Sequence, residues 1–311
     1  MKDKKLIIIS ILILFFGVFL VACSNKNLST NQESYSVKLK VASSIFPIYS
    51  IINEVGGDRI DNYLILPSGS SPHTYDASPQ DIKSLQGVKV IFGVGAGADD
   101  WLDDLTYSIS GVEKFTLDNQ VNLQSFPDHE EENIDEDHYH GDVDPHYWLN
   151  PDNAISIAEA AALKFSELDP EGREEYLENF NDFKNKLSSL DIIWQAKLNQ
   201  LNRKEIVVFH DAWNYFAKHY NLKIVASIEP FAGKSPGPRY LKDLQIIVKE
   251  KDIKAIFIEP QLATSVAEVL ASDLNIEIAT LDPLGGTESI SDYFSLIEYN
   301  VDTIYNTLNN N

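Results

Sequence analysis

Residues 172–201 hold no proline and no glycine beyond Gly172, and their apolar positions keep to one helical face. Tyr176, Phe180, Phe183, Leu187, Leu190, Trp194, Leu198 and Leu201 follow one another at steps of three and four. That spacing predicts a single amphipathic helix, about 45 Å long at 1.5 Å per residue. A rod of this length can run the length of a molecule and join two halves stiffly. The halves are expected on either side of it, an N-terminal lobe over residues 37–171 and a C-terminal lobe over 202–311.

Both flanks support such halves. Short apolar runs recur at residues 37–42, 88–94, 206–209, 222–228, 255–258 and 276–281. Their length and their lack of alternation suit strands buried on both faces of a parallel sheet. Helical patterns lie between them at 47–55, 79–85, 151–167, 239–250 and 265–274. Several open with Ser or Asp near the start, or with Pro at an early position, as helix starts do. The expected fold class is therefore α/β, two lobes with mainly parallel sheets joined by one long helix.

The N-terminal residues speak to location. Lys2, Lys4 and Lys5 precede the apolar run of residues 6–22. A basic start, an apolar stretch and a small residue before the cut describe a secretory signal. An uncleaved membrane anchor is the other reading, since the run is just long enough to span. Leu20-Val21-Ala22-Cys23 resembles the bacterial lipobox, which favours the signal, with Cys23 becoming the lipidated first residue. Cys23 is also the only cysteine, so it has no disulfide partner within the chain. Residues 24–36 are rich in Ser, Asn and Gln and read as a tether. The expected place is the cell surface or periplasm, held at the membrane by lipid, which adds roughly 0.8 kcal/mol per buried methylene.

The chain carries a formal charge of −22, and removal of residues 1–22 deletes three Lys and one Asp, giving −24. Nucleic acid and anionic membrane surfaces are poor partners for it. A cationic ligand is compatible, though acidity also keeps an exported protein soluble. Nine carboxylates crowd into residues 128–144 together with His129, His138 and His140. This segment cannot bury a core and is expected to be a mobile loop, either a solvated acidic one or an auxiliary collector of divalent cations.

Four residues stand where chemistry is done in α/β proteins. His210 and Asp282 follow the strand-like runs 206–209 and 276–281, and ligands bind beyond the carboxyl ends of such strands. His73 and His146 occupy comparable loop positions in the N-terminal half. Three imidazoles and a carboxylate would complete a tetrahedral zinc shell, but no HExxH or CxxC motif ties these distant positions together. Glu229 and Glu259 follow strand-like runs and either orient a ligand histidine or serve structure at a Pro-flanked strand end. His219 reads as a surface residue, and Trp101, Trp148, Trp194 and Trp213 as core. Residues 93–100 hold spaced glycines but lack the third glycine of a dinucleotide loop and add two acids, so that reading is rejected.

Pro72-His73-Thr74-Tyr75 with Ser78-Pro79, the Asp-Pro-His-Tyr-Trp-Leu-Asn-Pro segment at 144–151, and Asp282-Pro283-Leu284-Gly285 resemble the signatures of the zinc/manganese-binding lipoproteins of bacterial ABC importers. Residues 97–102 and Ile258-Glu259-Pro260-Gln261 are similar to further segments of that family. The resemblance runs from residue 37 to the C-terminus. It implies a metal between two lobes joined by one long helix, with His73 and His146 as N-lobe ligands and His210 and Asp282 as C-lobe ligands. Manganese-binding members typically have Glu where this chain has His210, and imidazole in place of a carboxylate favours zinc. Zinc as cargo, an importer permease as partner, a monomeric state and no enzymatic activity are the expectations that follow. No Walker A sequence occurs, so ATP hydrolysis would belong to another subunit. A manganese receptor, a zinc hydrolase with an open water position and a surface adhesin remain as alternatives at this point.

Overall fold

A computed structural model describes residues 37–126, 143–229 and 236–309. Cys23, the tether and His129, His138 and His140 lie outside the described residues. Residues 38–311 form one compact unit.

Two four-stranded parallel sheets build it. The first contains β1 (Leu39–Ser43), β2 (Ile60–Leu64), β3 (Val90–Gly93) and β4 (Glu113–Thr116), in the order β2-β1-β3-β4. Between its strands lie α1 (Phe46–Gly56), α2 (Pro79–Ser84) and α3 (Trp101–Tyr107). A two-stranded antiparallel ribbon, β5 (Gln124–Ser125) with β6 (Val143–Asp144), follows. Next come α4 (Pro151–Leu168) and the long α5 (Arg173–Leu198). The second sheet contains β7 (Glu205–Val208), β8 (Lys223–Ser227), β9 (Ala255–Ile258) and β10 (Glu277–Thr280), in the order β10-β9-β7-β8. Its helices are α6 (Asn214–His219), α7 (Pro238–Glu250) and α8 (Ser265–Leu274), and α9 (Tyr293–Asn309) closes the chain.

Written from the second strand outwards, both sheets run second, first, third, fourth. Chain direction therefore reverses its progress between β1 and β3, and again between β7 and β9. Crevices open at such reversals, beyond the carboxyl ends of the strands. Register fixes what meets there. Val208 pairs with Phe257 and Ile258 with Thr280, so residues just past the ends of β7, β9 and β10 emerge side by side.

The linking helix runs from Arg173 to Leu198, shorter at both ends than residues 172–201. A 3-10 turn at Pro170–Gly172 precedes it, and a turn at Asn199 and Gln200 follows. Seven of its eight expected apolar positions are buried, Leu190 being half-buried. They pack on α1, α4 and α9 in a core cluster that draws residues from both sheets. Polar clamps hold each end. Near the start, Asp169 accepts from Arg59 and from the Tyr176 hydroxyl at 2.8 Å, while Asn179 donates to the Val55 carbonyl. Further along, Asp191 accepts from Tyr220 at 2.9 Å, from His219 Nε2 at 2.9 Å and from Gln195 at 2.7 Å. His219 is thus not a surface residue: its side chain is only 7 % exposed, turned onto a carboxylate of α5.

Local signals set the element ends. Ser78 and Asp81 form a reciprocal capping box on α2, and Asn150 caps α4 ahead of Pro151. Two elements have weak patterns, the polar edge strand β4 and the short α3. The 93–100 turn confirms its rejection as a nucleotide loop: Asp99 accepts from the Val94 and Gly95 N–H groups, at 2.6 and 2.8 Å. The donors a phosphate would use already serve a protein carboxylate. Among the described residues no helix is long and apolar enough to cross a membrane.

Candidate metal centre

Three imidazoles meet at the crevice. His73 sits in the 3-10 turn Pro72–Thr74, in the loop after β2, where Trp101 Nε1 donates to the Pro72 carbonyl at 3.1 Å. His146 lies between β6 and the 3-10 turn Tyr147–Leu149. His210 lies two residues past β7. His73 Nε2 stands 3.2 Å from His146 Nε2, which stands 3.4 Å from His210 Nε2. One nitrogen from each ring lies within 4.8 Å of those of the other two.

The opposite ring edges explain why the Nε2 atoms converge. His146 Nδ1 is 2.8 Å from Asp144 Oδ1, and His210 Nδ1 is 2.7 Å from Glu259 Oε1. An ionised carboxylate only accepts, so each Nδ1 carries a proton. In the neutral ring, Nε2 then presents a lone pair to the cleft. Two lone pairs facing across 3.4 Å repel unless a cation lies between them. The carboxylates themselves are buried and held: Asp144 also accepts from the His146 N–H and from Asn214 Nδ2, and Glu259 from Trp213 Nε1 at 3.0 Å. Burial lowers the proton affinity of His210, but Glu259, Asp211 and Asp144 more than offset it, leaving its pKa above the usual imidazole value.

Spacing agrees with ligation. Four ligands at about 2.0–2.1 Å in tetrahedral array stand about 3.3 Å from one another. The rings line an open cleft walled by Trp148, Gln261 and Leu284 among others, with no Lys or Arg in its described lining.

Asp282, the fourth residue of the expected quartet, stands at the same place past its strand as His210 does past β7. It is buried two residues past β10, yet the cluster of three histidines does not include it. The hydrogen bonds described to its carboxylate end on Oδ1, from Gln261 Nε2 at 2.7 Å, the Leu284 N–H at 3.0 Å and the Gly285 N–H at 2.9 Å. Glu259 stands beside His210, and Glu229 is buried two residues past β8. Trp148 is core, as expected, and also ties the halves together: its Nε1 donates to the Pro283 carbonyl at 2.8 Å, and Tyr293 donates to the Trp148 carbonyl. Sequence reasoning overlooked Asp144 as the partner of His146. The Asp-Pro-His spacing was its signal, since a side chain two residues before can reach back to both the backbone N–H and the ring.

A family model described as the periplasmic component A of a zinc-uptake complex matches residues 41–307. The chain belongs to this zinc-uptake component A family. The family is one of uptake components, not of enzymes. The chain is 28 % identical over 300 residues to the zinc-binding lipoprotein AdcA of Streptococcus pneumoniae, across 94 % of the chain. It spans 59 % of that longer protein. It is 29 % identical to the metal ABC transporter substrate-binding lipoprotein SsaB of Streptococcus sanguinis, covering 97 % of the chain and 98 % of SsaB. The crystal structure of ZnuA superposes with a TM-score of 0.77 at 26 % identity, covering 87 % of the chain and 99 % of ZnuA. The two-lobed α/β fold with a long connecting helix is that of this family.

Proposed function

We propose that the chain is an extracytoplasmic lipoprotein that captures Zn²⁺ and delivers it to the permease of an ABC-type importer. One observation carries the reading: three Nε2 atoms converge in a cleft while buried carboxylates hold two of the rings from behind. His73, His146 and His210 are the nitrogen ligands, and Asp282 supplies the fourth. Asp144 and Glu259 orient the rings, as carboxylate partners of zinc-bound histidines do. Three imidazoles with one carboxylate suit zinc better than manganese, whose hard ion prefers oxygen. Relatives named as lipoproteins support anchoring through Cys23. The segment with His129, His138 and His140 serves as an auxiliary collector.

Binding needs neutral rings, so protons compete with zinc. The sign follows from His210. Its pKa lies above the ordinary imidazole value, so the ring takes up a proton at a higher pH than a free histidine would, and zinc leaves as pH falls. Mature protein loaded with zinc should release far more metal on dialysis at about pH 5 than at about pH 7.5. Equal retention at both would contradict ligation by these histidines.

A further inference from the structure

We propose that Gln261 is a positioning residue that presents Asp282 to the metal, an inference that rests on the zinc-binding reading above. Asp282 is clamped on every side but one. Asn300, on α9, accepts from the Asp282 N–H at 2.9 Å and donates to its carbonyl at 2.8 Å. Leu284 and Gly285 turn their N–H groups onto Oδ1. Gly285 does so at φ 69°, and a Cβ there would meet Ile290 Cγ2 at 2.7 Å. Among the described residues, only Gln261 reaches the carboxylate through a side chain, its Nε2 lying 2.7 Å from Oδ1.

The consequence is a division of labour between the two carboxylate oxygens. Three donors saturate Oδ1, and a carboxylate oxygen so engaged is a poor metal ligand. The carboxylate cannot swivel without losing charge-assisted hydrogen bonds, which leaves Oδ2 as the oxygen offered to the cleft. The amide also lines that cleft, and its Oε1 is buried with no hydrogen-bond partner among the described residues. Gln261 thus sets the aim of the fourth ligand without touching the metal.

A double-mutant cycle tests this, with Zn²⁺ affinity read by chelator competition and folding by thermal melts of metal-free protein. Gln261→Leu should weaken zinc binding roughly 10- to 100-fold when Asp282 is present, and should add no further loss in an Asp282→Ala background. Co²⁺-loaded Gln261→Leu should show an altered visible absorption spectrum, shifted in the direction seen for Asp282→Ala. Equal losses in both backgrounds, no loss in either, or a Co²⁺ spectrum identical to the wild type would overturn the proposal. Gln261→Met repeats the test should the leucine variant fold poorly. Wild-type protein that fails to bind zinc would instead remove the function proposed above, so the two failures are separable.

Discussion

Replacing His146 with alanine is expected to weaken zinc binding by at least about 10³-fold, the largest loss of any single substitution in the cleft. His146 is the middle of the cluster, its Nε2 lying 3.2 Å from that of His73 and 3.4 Å from that of His210. Asp144 also holds it, bound to both its Nδ1 and its backbone N–H. Removing it leaves two imidazoles with no nitrogen between them. It further strands a buried carboxylate that keeps only its bonds to Asn214 and the backbone. About 10³-fold corresponds to roughly 4 kcal/mol, a fraction of the 10–16 kcal/mol that structural zinc sites release. The loop itself should survive, because Tyr147 donates to the Val94 carbonyl and Trp148 to that of Pro283. Calorimetric titration of His146→Ala with Zn²⁺ decides the matter, with a metal-free melt as the folding control. Affinity within tenfold of the wild type would remove His146 from the ligand set.

The second large effect concerns stability. Asp191→Ala should destabilise the metal-free protein by about 3–5 kcal/mol, lowering the melting temperature by roughly 6–20 °C for a body of this size. Asp191 is a buried carboxylate of α5 that satisfies the Tyr220 hydroxyl, His219 and Gln195 together. Tyr220 is itself buried, and its ring packs at a tilt against Phe216, with centroids 4.6 Å apart. Without the carboxylate, two polar side chains of the α6 region lose their partner where water is scarce. Asp191→Asn, which keeps one acceptor oxygen, should lose less. A melting temperature unchanged within about 2 °C would show that the apolar row of α5 alone fastens the helix.

Much of this architecture was legible because strands buried on both faces and helices with clear starts write strong patterns. Strand β9 and helix α8 fall where their apolar runs begin and end. The row from Tyr176 to Leu201 announced α5, although Gly172 falls in the turn before it and Leu201 just past the turn that follows it. Pattern failed where exposure breaks it. Strand β4, Glu113–Thr116, lies at a sheet edge with two exposed residues, so it never reads as an apolar run. His219 looked like a surface residue because its partner lies 28 positions away on another element.

The site divides in the same way. His210 and Glu259 could be read as strand-end residues, and register brings them together, since each lies two beyond a paired position of β7 and β9. No local pattern places His73 against His146, which needs the loop after β2 to fold across the crevice. The engagement of one Asp282 oxygen by three donors was equally invisible, because it depends on the turn at Gly285 and on the amide of Gln261.

The most direct test of the account is a competition between Zn²⁺ and Mn²⁺ for the mature protein, repeated with His210→Glu. Three nitrogen ligands, two of them set by carboxylates, predict a strong preference for zinc in the wild type, narrowed when a carboxylate oxygen replaces the His210 imidazole. Equal or tighter binding of manganese by the wild type, or an unchanged preference in His210→Glu, would contradict it.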